Sequence, residues 1–280
     1  MTSYGRGAAN TSKTYPAFSK LPLDPSHPPY SAWGLYGMED ELGTLNQLTL
    51  ERTVAAAKEI KTGLRIGLNW GLEQMDYTGE FRETMKHEIF EIGKNMNVGE
   101  DDRIIFNTQT TKAGIVGRGV LLGFVSYAEL NGIKYDPLDY CAIPLKAAKQ
   151  IAAQSNFEFQ AGFTRAFENA SPELKKTTIA KSPFQYPGME STFEVLEWLW
   201  NTRIAAVAGD CPGFEAWPPS EHVMHQILLA GFGMLIGEMF VLDELAAECE
   251  RQKRWTFFFT SEPLNVKGGV ASPPNALAML

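Results

Sequence analysis

Residues 191–210 read STFEVLEWLWNTRIAAVAGD, and this stretch decides the fold class. Its first half carries apolar side chains at helical spacing, which predicts a helix over 191–201. The short apolar run 204–208 follows and predicts a strand that ends at Gly209 and Asp210. A helix, a short buried strand and a polar turn in this order are typical of an α/β protein. Polar side chains just past a strand's carboxyl end commonly form the functional site of such proteins.

Further elements follow from similar patterns on either side of this stretch. Thr49 is a typical helix N-cap and Gly63 a typical helix end, so the segment between them is predicted to be helical. Alternating or short continuous apolar runs predict strands, and longer periodic runs predict helices. The predicted strands cover 64–70, 104–106, 114–124, 234–240 and 255–260, and the remaining predicted helices cover 144–155, 221–229 and 242–251.

The predicted domain organisation is simple. Residues 1–20 are polar, with scattered glycine, serine and threonine, and we expect them to form a flexible N-terminal arm. The tail from residue 268 contains two adjacent prolines and is predicted to be irregular. Because no internal repeat or linker divides the remainder, residues 21–280 should form a single α/β domain.

Composition narrows the classes of function. The chain has 280 residues, a net charge of -8 and 44% hydrophobic residues, which is typical of a globular protein with an acidic surface. Nucleic-acid binding favours a basic stripe, so we expect no nucleic-acid partner. The longest apolar stretch, 227–240, is interrupted by glycines and is too short to span a membrane. Three widely spaced cysteines, together with an N-terminus that lacks a secretion signal, indicate a cytoplasmic protein.

Three residues are candidates for catalysis. His225 is one of only four histidines, and imidazole is the side chain best suited to proton transfer near neutral pH. Glu238 lies in an apolar run, where a carboxylate is either paired and inward-facing or exposed on an edge strand. Asp210 follows the predicted strand and either joins the site or binds the backbone of its own turn. Cys211 beside it is either a nucleophile or a buried structural residue.

These candidates are too few for a transition-metal site, which needs three or four converging His, Cys or carboxylate ligands. We therefore expect a protein that works without a metal. The chain also lacks the GxGxxG and Walker motifs, so no nucleotide cofactor is expected, and it lacks the GxSxG and HExxH motifs of common hydrolases.

Aromatic residues in loops rich in proline and glycine predict where a small-molecule substrate binds. Trp33, Tyr36, Phe214 and Trp217 either line a pocket for an apolar, conjugated ligand or cover the core beneath long loops. His222 lies three residues before His225 and shares its face of the predicted helix. It is therefore either a further substrate contact or a surface histidine.

Longer motifs give the sequence a resemblance to a known family. They are residues 31–46 (SAWGLYGMEDELGTLN), 114–122 (GIVGRGVLL) and 205–218 (AAVAGDCPGFEAWP), supported by 225–238 and 263–274. Together they resemble the cyclase family that includes kynurenine formamidase, and most closely its fungal branch. The resemblance implies a swivelling β/α/β fold, with a curved mixed sheet and outer helices, in a homodimer or higher homo-oligomer. It also implies a Zn or Mn site to which His225 and Glu238 supply the later ligands.

The sequence departs from the family where its early metal ligands are expected. After residues 107–111 the chain continues directly to 112–115, so the segment with the early His and Asp ligands is missing. A second shortening lies near 159–164, and Gly123 stands where the family has Asp. Two ligands of five are too few for a transition-metal site.

Three functional hypotheses follow. The first is a metal-independent lyase or cyclase that dehydrates or cyclises a polyketide-type secondary metabolite. In it, His225 removes the α-proton of a β-hydroxy carbonyl, and protonated Glu238 or Asp210 assists the departure of hydroxide. The second is a metal-dependent formamidase or lactone hydrolase, with Zn or Mn held by substitute ligands such as His87 and Glu88 or by a second subunit. The third is a non-catalytic binding protein.

Overall fold

The structure is a computed structural model that describes residues 15–72, 74, 114–153, 162–264 and 271–280. Within these ranges the helices are α1 (Leu50–Ala56), α2 (Phe124–Leu130), α3 (Leu145–Ala153), α4 (Phe163–Asn169), α5 (Pro172–Ile179), α6 (Phe193–Asn201) and α7 (Asp243–Gln252). The strands are β1 (Arg65–Gly67), β2 (Ile115–Val120), β3 (Ala142–Ile143), β4 (Gly188–Met189), β5 (Ala206–Ala208), β6 (Leu235–Gly237), β7 (Thr256–Ser261) and β8 (Ala276–Met279). None of the helices in these ranges is long and apolar enough to cross a membrane.

The described strands pair in both directions. Four of them form an antiparallel sheet in the order β1-β8-β7-β2. β3 and β4 form a parallel pair, and β5 and β6 form another. This mixture of helices with antiparallel and parallel strands confirms the predicted α/β class.

Residues 191–210 form the predicted helix and strand, over the slightly shorter ranges Phe193–Asn201 and Ala206–Ala208. The Thr192 side chain accepts a hydrogen bond from the Val195 amide and begins α6, and β5 follows after a short turn. Leu196 and Trp200 lie one helical turn apart and are fully buried. They belong to the largest core cluster, which also contains Val207 of β5. The apolar face of α6 thus packs over the parallel pair that carries the site.

The N-terminal segment packs against this helix from residue 15 onward. The Tyr15 ring stacks on Trp200 at 4.6 Å, and the Trp200 indole donates to the Pro16 carbonyl at 2.8 Å. Phe18 is buried in the same cluster. The described end of the predicted arm is therefore docked on the core, and the domain boundary at residue 20 stays a prediction.

Several predicted elements need correction. The C-terminal tail is not irregular throughout, because β8 pairs with both β1 and β7. Its small alanine side chains, of which Ala276 and Ala278 are buried, gave too weak an apolar pattern to indicate a strand. The strand predicted over 114–124 ends at Val120. The sequence patterns also missed α2, α4, α5, β3 and β4, and the strand predicted over 104–106 lies outside the described residues.

The helix predicted over 221–229 is replaced by a different element. Residues 221–223 are irregular, and a π-helix covers Gln226–Phe232 directly after His225. Such wide helical turns are rare and frequently occur at functional sites. His222 and His225 therefore do not share a helix face.

Two glycines hold the 31–46 motif against the end of this π-helix. Gly43 and Gly233 both have positive φ, at 54° and 64°, and their backbones cross in contact. A Cβ on Gly43 would lie 2.2 Å from the Gly233 carbonyl oxygen. Beside them, the Thr44 hydroxyl donates to the Ala205 carbonyl at 2.7 Å. This crossing places the motif next to β5 and β6.

Gly43→Ala should therefore lower the free energy of unfolding by about 2 kcal/mol or more, because it adds a backbone clash to the cost of left-handed φ. Gly63→Ala is the matched control, since Gly63 has φ of 78° with open space around the added Cβ, and it should cost only about 1 kcal/mol. Urea unfolding of the two variants gives the comparison. Equal losses would contradict the proposed role of the crossing.

Candidate functional site

The candidate site lies where two parallel strands end. β5 and β6 run side by side, so their carboxyl ends meet at one edge. Glu238 follows β6 directly, and the Gly209 that follows β5 donates to the Gly237 carbonyl at 3.0 Å. Met239, next to Glu238, has φ of 57°, a conformation that non-glycine residues rarely adopt and that often marks a functional site.

The centre of the site is His225, which bridges two carboxylates. Its Nδ1 lies 2.6 Å from Glu215 Oε2, and its Nε2 lies 2.8 Å from Glu238 Oε1. The His225 amide also donates to Glu215 Oε1 at 3.1 Å. Glu215 is fully buried, whereas the His225 and Glu238 side chains keep 29% and 26% of their surface exposed. One face of this triad is therefore open to a ligand.

The backbone around Glu215 fixes its position. Residues 214–217 run alongside β4, with the Met189 amide donating to the Phe214 carbonyl and the Ala216 amide to the Met189 carbonyl, both at 2.9 Å. A Cβ on Gly188 would lie 2.4 Å from the Glu215 carbonyl carbon, so the glycine permits this close approach. Glu215 is thus held by β4 before it meets His225.

The two carboxylates change the proton affinity of His225. Its hydrogen bonds to Glu215 and then Glu238 raise the His225 pKa to about 10, against the opposing effect of partial burial. For Glu215, burial raises the pKa, but the hydrogen bonds and positive charge of His225 outweigh it, and the pKa is lowered overall. At neutral pH the raised pKa makes His225 an imidazolium, which is hydrogen-bonded to both Glu215 and Glu238.

This protonation state argues against one expectation from the sequence. A histidine that is already protonated is not available as the base that removes an α-proton. Because the imidazolium has a proton on each nitrogen, its Nε2–H donates to Glu238. His225 is suited to be the acid and Glu238 the base.

A large cleft opens beside this pair. It has a volume of about 1660 Å³, which exceeds the 300–1,000 Å³ common for ligand pockets. The structure brings five of the predicted site residues to its wall, namely Trp33, Tyr36, Trp217, His225 and Glu238. The Trp33 indole donates to the Ala230 carbonyl at 2.6 Å, and the Tyr36 hydroxyl accepts from Gln47 Nε2 at 2.8 Å. These bonds orient two of the aromatic rings.

Asp210 does not line this cleft. Its Oδ2 accepts a 2.7 Å hydrogen bond from the Phe163 amide at the start of α4, and it lies so close to Gly162 that a Cβ there would be 1.6 Å away. Burial raises the Asp210 pKa. The sequence left open a site role or binding to the backbone of its own turn, and the carboxylate instead binds the backbone of α4, which is distant along the chain. Buried Cys211 likewise favours its structural role, since burial raises its thiol pKa well above the ordinary value.

Two predicted substrate residues also lie away from the cleft wall. Phe214 packs against the main core cluster. The His222 ring lies 3.9 Å, centroid to centroid, from the Phe193 ring, and its Nε2 is 3.9 Å from a Glu221 carboxylate oxygen. A substrate contact by either residue stays a prediction.

The donor set for a metal is incomplete in the described part of the chain. There, no group of three or more His, Cys, Asp and Glu side chains is arranged to hold a metal ion. His225 Nε2 and Glu238 supply two neighbouring donors, fewer than the three protein ligands of a catalytic zinc site. His87 and Glu88 lie outside the described residues. The described residues by themselves therefore do not fit Zn or Mn.

Sequence reasoning missed Glu215. A signal was present, because Glu215 stands among Phe214, Ala216 and Trp217, and a carboxylate in an apolar run must be paired when it is buried. Glu238 is predicted from the sequence on this ground, but Glu215 is not. Glu215, the most buried of the three triad residues, is thus the one for which the sequence predicted no role.

Comparison with known proteins identifies a solved structure with a similar fold. No protein-family profile and no curated protein matches the sequence. A crystal structure of a novel cyclase does match, with a TM-score of 0.71 and 21% identity, over 90% of this chain and 100% of that one. The chain has a cyclase-type fold. At this identity the likeness establishes the fold, and the activity has to be argued from the site.

The imidazole of His225 should titrate with a pKa of about 10, far above its ordinary pKa of 6.5. Because the folded pKa is raised, the triad's contribution to stability is fully present below about pH 6.5 and is lost as pH rises through about 10. Glu215→Gln should lower the His225 pKa by roughly one unit or more, measured from the ring protons by NMR. A wild-type value near 6.5 would contradict this account.

Asp210→Ala should lower the free energy of unfolding by about 1–3 kcal/mol, because it leaves the Phe163 amide without its acceptor. Asp24→Ala is the control, since Asp24 also accepts from a backbone amide, that of Ser26, but on the exposed surface. It should cost less than about 1 kcal/mol. Thermal and urea unfolding measure both, and an Asp210 variant as stable as the control would refute the structural role.

Proposed function

We propose that the protein is a lyase or cyclase that dehydrates or cyclises a conjugated, polyketide-type carbonyl compound by acid–base catalysis, without a metal. The observation that carries the proposal is the Glu215–His225–Glu238 triad, which faces an aromatic cleft through its two partly exposed members, His225 and Glu238. An imidazolium beside a carboxylate supplies an acid and a base within one hydrogen bond.

For a β-hydroxy carbonyl substrate, each residue has one task. The Glu238 carboxylate removes the α-proton, the carbon–oxygen bond to the β-hydroxyl breaks, and the His225 Nε2–H protonates the departing oxygen to give water. Glu238 is then protonated and His225 neutral. Because their atoms are 2.8 Å apart, one proton transfer from Glu238 to Nε2 restores the resting state. A positioned acid or base of this kind contributes roughly 10²–10⁴ in rate.

Glu215 acts through His225 and does not reach the substrate. Fully buried, it accepts one hydrogen bond from the imidazole Nδ1 and one from the His225 backbone amide, and it stabilises the positive charge of the ring. A buried carboxylate has the same orienting role in the Ser-His-Asp triad of hydrolases. Glu215 is therefore a positioning residue, and Asp210 has no step in this scheme.

A second candidate function is metal-dependent hydrolysis of a formamide or lactone. The observation that favours it is the Glu215 contact to Nδ1, since metal-bound histidines commonly donate their other ring nitrogen to a carboxylate. It requires further ligands, for which His87, Glu88 or a second subunit are the candidates. The third hypothesis, a binding protein without catalysis, is an outcome of the test below.

The finer expectations from the family resemblance belong to this proposal. They are the swivelling β/α/β arrangement, membership of a fungal branch, and a role in secondary metabolism. We also propose a homodimer or higher homo-oligomer in the cytoplasm, with a small-molecule substrate and no nucleic-acid or membrane partner. The cyclase-type fold supports the first of these, and the acidic composition supports the absence of a nucleic-acid partner.

The proposal is tested by turnover of a panel of aromatic β-hydroxy ketones and esters, followed by product mass spectrometry. Glu238→Gln and His225→Gln should each reduce turnover by about 10²–10⁴, and prior dialysis against EDTA should leave the wild type unchanged. Glu221→Gln, an exposed carboxylate near His225 in sequence, should behave as wild type.

Each alternative gives a different result. Activity that EDTA removes and Zn or Mn restores would favour the hydrolase. Binding without turnover in wild type and variants alike would favour the non-catalytic protein. His225→Gln leaves the buried Glu215 with a weaker partner, so the folding of this variant is checked by circular dichroism. If the His225 variant does not fold, Glu238→Gln, at a less buried position, provides the test.

A further inference from the structure

On the part of the cleft wall that the structure describes, the acidic and basic side chains are three carboxylates and the histidines His27 and His225. The carboxylates are those of Asp40, Glu41 and Glu238, and the described wall includes no lysine or arginine. Glu215 and Glu238 flank the His225 imidazolium, so that these three groups carry a net charge of -1. Asp40 accepts hydrogen bonds from the Gly43 amide and the Asn46 side chain, which are neutral and leave its charge in place.

The same wall exposes an unusual amount of apolar surface. Trp33 is 48% exposed, Met38 84% and Leu72 54%, and Leu42, Leu229, Leu235 and Leu264 are also exposed at the cleft. Trp70, Tyr186 and Trp217 add aromatic surface to the wall. Apolar patches of this kind on a protein surface commonly mark binding sites. The wall therefore combines apolar contact area with negative charge.

We infer that this cleft selects uncharged aromatic substrates and rejects their anionic counterparts, such as free carboxylic acids, phosphates and coenzyme A thioesters. The inference rests on the proposed function and narrows it, because it names the substrate class of the same site. A free acid finds no lysine or arginine on the described wall, and the His225 imidazolium there is already paired with Glu215 and Glu238. Its carboxylate would have to approach Glu238 and the rim carboxylates of Asp40 and Glu41 against their repulsion.

A matched pair of ligands isolates this effect. 2-Naphthamide and 2-naphthoate have the same aromatic body and nearly the same shape but differ by one negative charge. Their dissociation constants are measured by isothermal titration calorimetry at neutral pH, in low salt and in 0.5 M salt (roughly a threefold shorter screening length than at 0.05 M). We expect the amide to bind about tenfold or more tightly than the acid in low salt, and the difference to shrink in high salt.

A charge reversal on the rim provides the matched variants. Glu41→Lys places a cation at the cleft and should tighten 2-naphthoate binding about tenfold while leaving 2-naphthamide within about twofold. Glu39→Lys is the control, because Glu39 is exposed two residues away but does not line the cleft. It should change neither constant by more than about twofold.

Every outcome decides the inference. Equal binding of acid and amide to wild type, or binding of neither up to millimolar concentration, overturns it, as does a Glu39 variant that gains as much as the Glu41 variant. Selective binding of the amide, together with a failure of all β-hydroxy carbonyl turnover, supports the selectivity and rejects the proposed reaction. Ligand binding tests the selectivity and turnover tests the proposed reaction, so the failure of one can be told from the failure of the other.

Discussion

The buried ion pair between Glu215 and His225 is the constraint on which the site depends. A fully buried carboxylate is costly unless it is paired and hydrogen-bonded, and Glu215 obtains both bonds from one residue, through the amide and the ring of His225. The pairing fixes the ring plane, assigns a proton to Nδ1 and directs Nε2 toward Glu238. Orientation, charge and chemical role of the imidazole thus follow from one interaction.

The fold supplies each member of the triad from a different element. β4 holds the segment that carries Glu215, the start of the π-helix carries His225, and the end of β6 carries Glu238. The Gly43–Gly233 crossing then brings the 31–46 motif, with Trp33 and Tyr36, over the same region. Glu238 lies at the carboxyl end of β6, one of two short parallel strands, so this part of the site follows the general rule for α/β proteins.

Sequence reasoning identified the candidate pair His225 and Glu238 but not the buried carboxylate beside it. His225 and Glu238 were recognisable from the scarcity of histidine and from a carboxylate in an apolar run, and the structure puts them in contact. The sequence-based hypothesis makes the histidine the base, whereas the pairing with Glu215 supports our proposal that it is the acid. The same reasoning could not decide between a structural and a catalytic Asp210, because the local sequence does not show that α4 places the Phe163 amide beside the carboxylate.

The sequence by itself determined the α/β class, the α6–β5 unit and five of the residues at the cleft wall, because periodicity and local turn chemistry act over a few neighbouring residues. Only the tertiary structure decided that β8 is a central strand, that Glu215 lies buried against His225, and that Phe214 and His222 lie away from the cleft. Those features depend on contacts between segments distant along the chain. A pKa, a burial or a pairing of this kind is a property of the assembled surroundings, and no local pattern contains it.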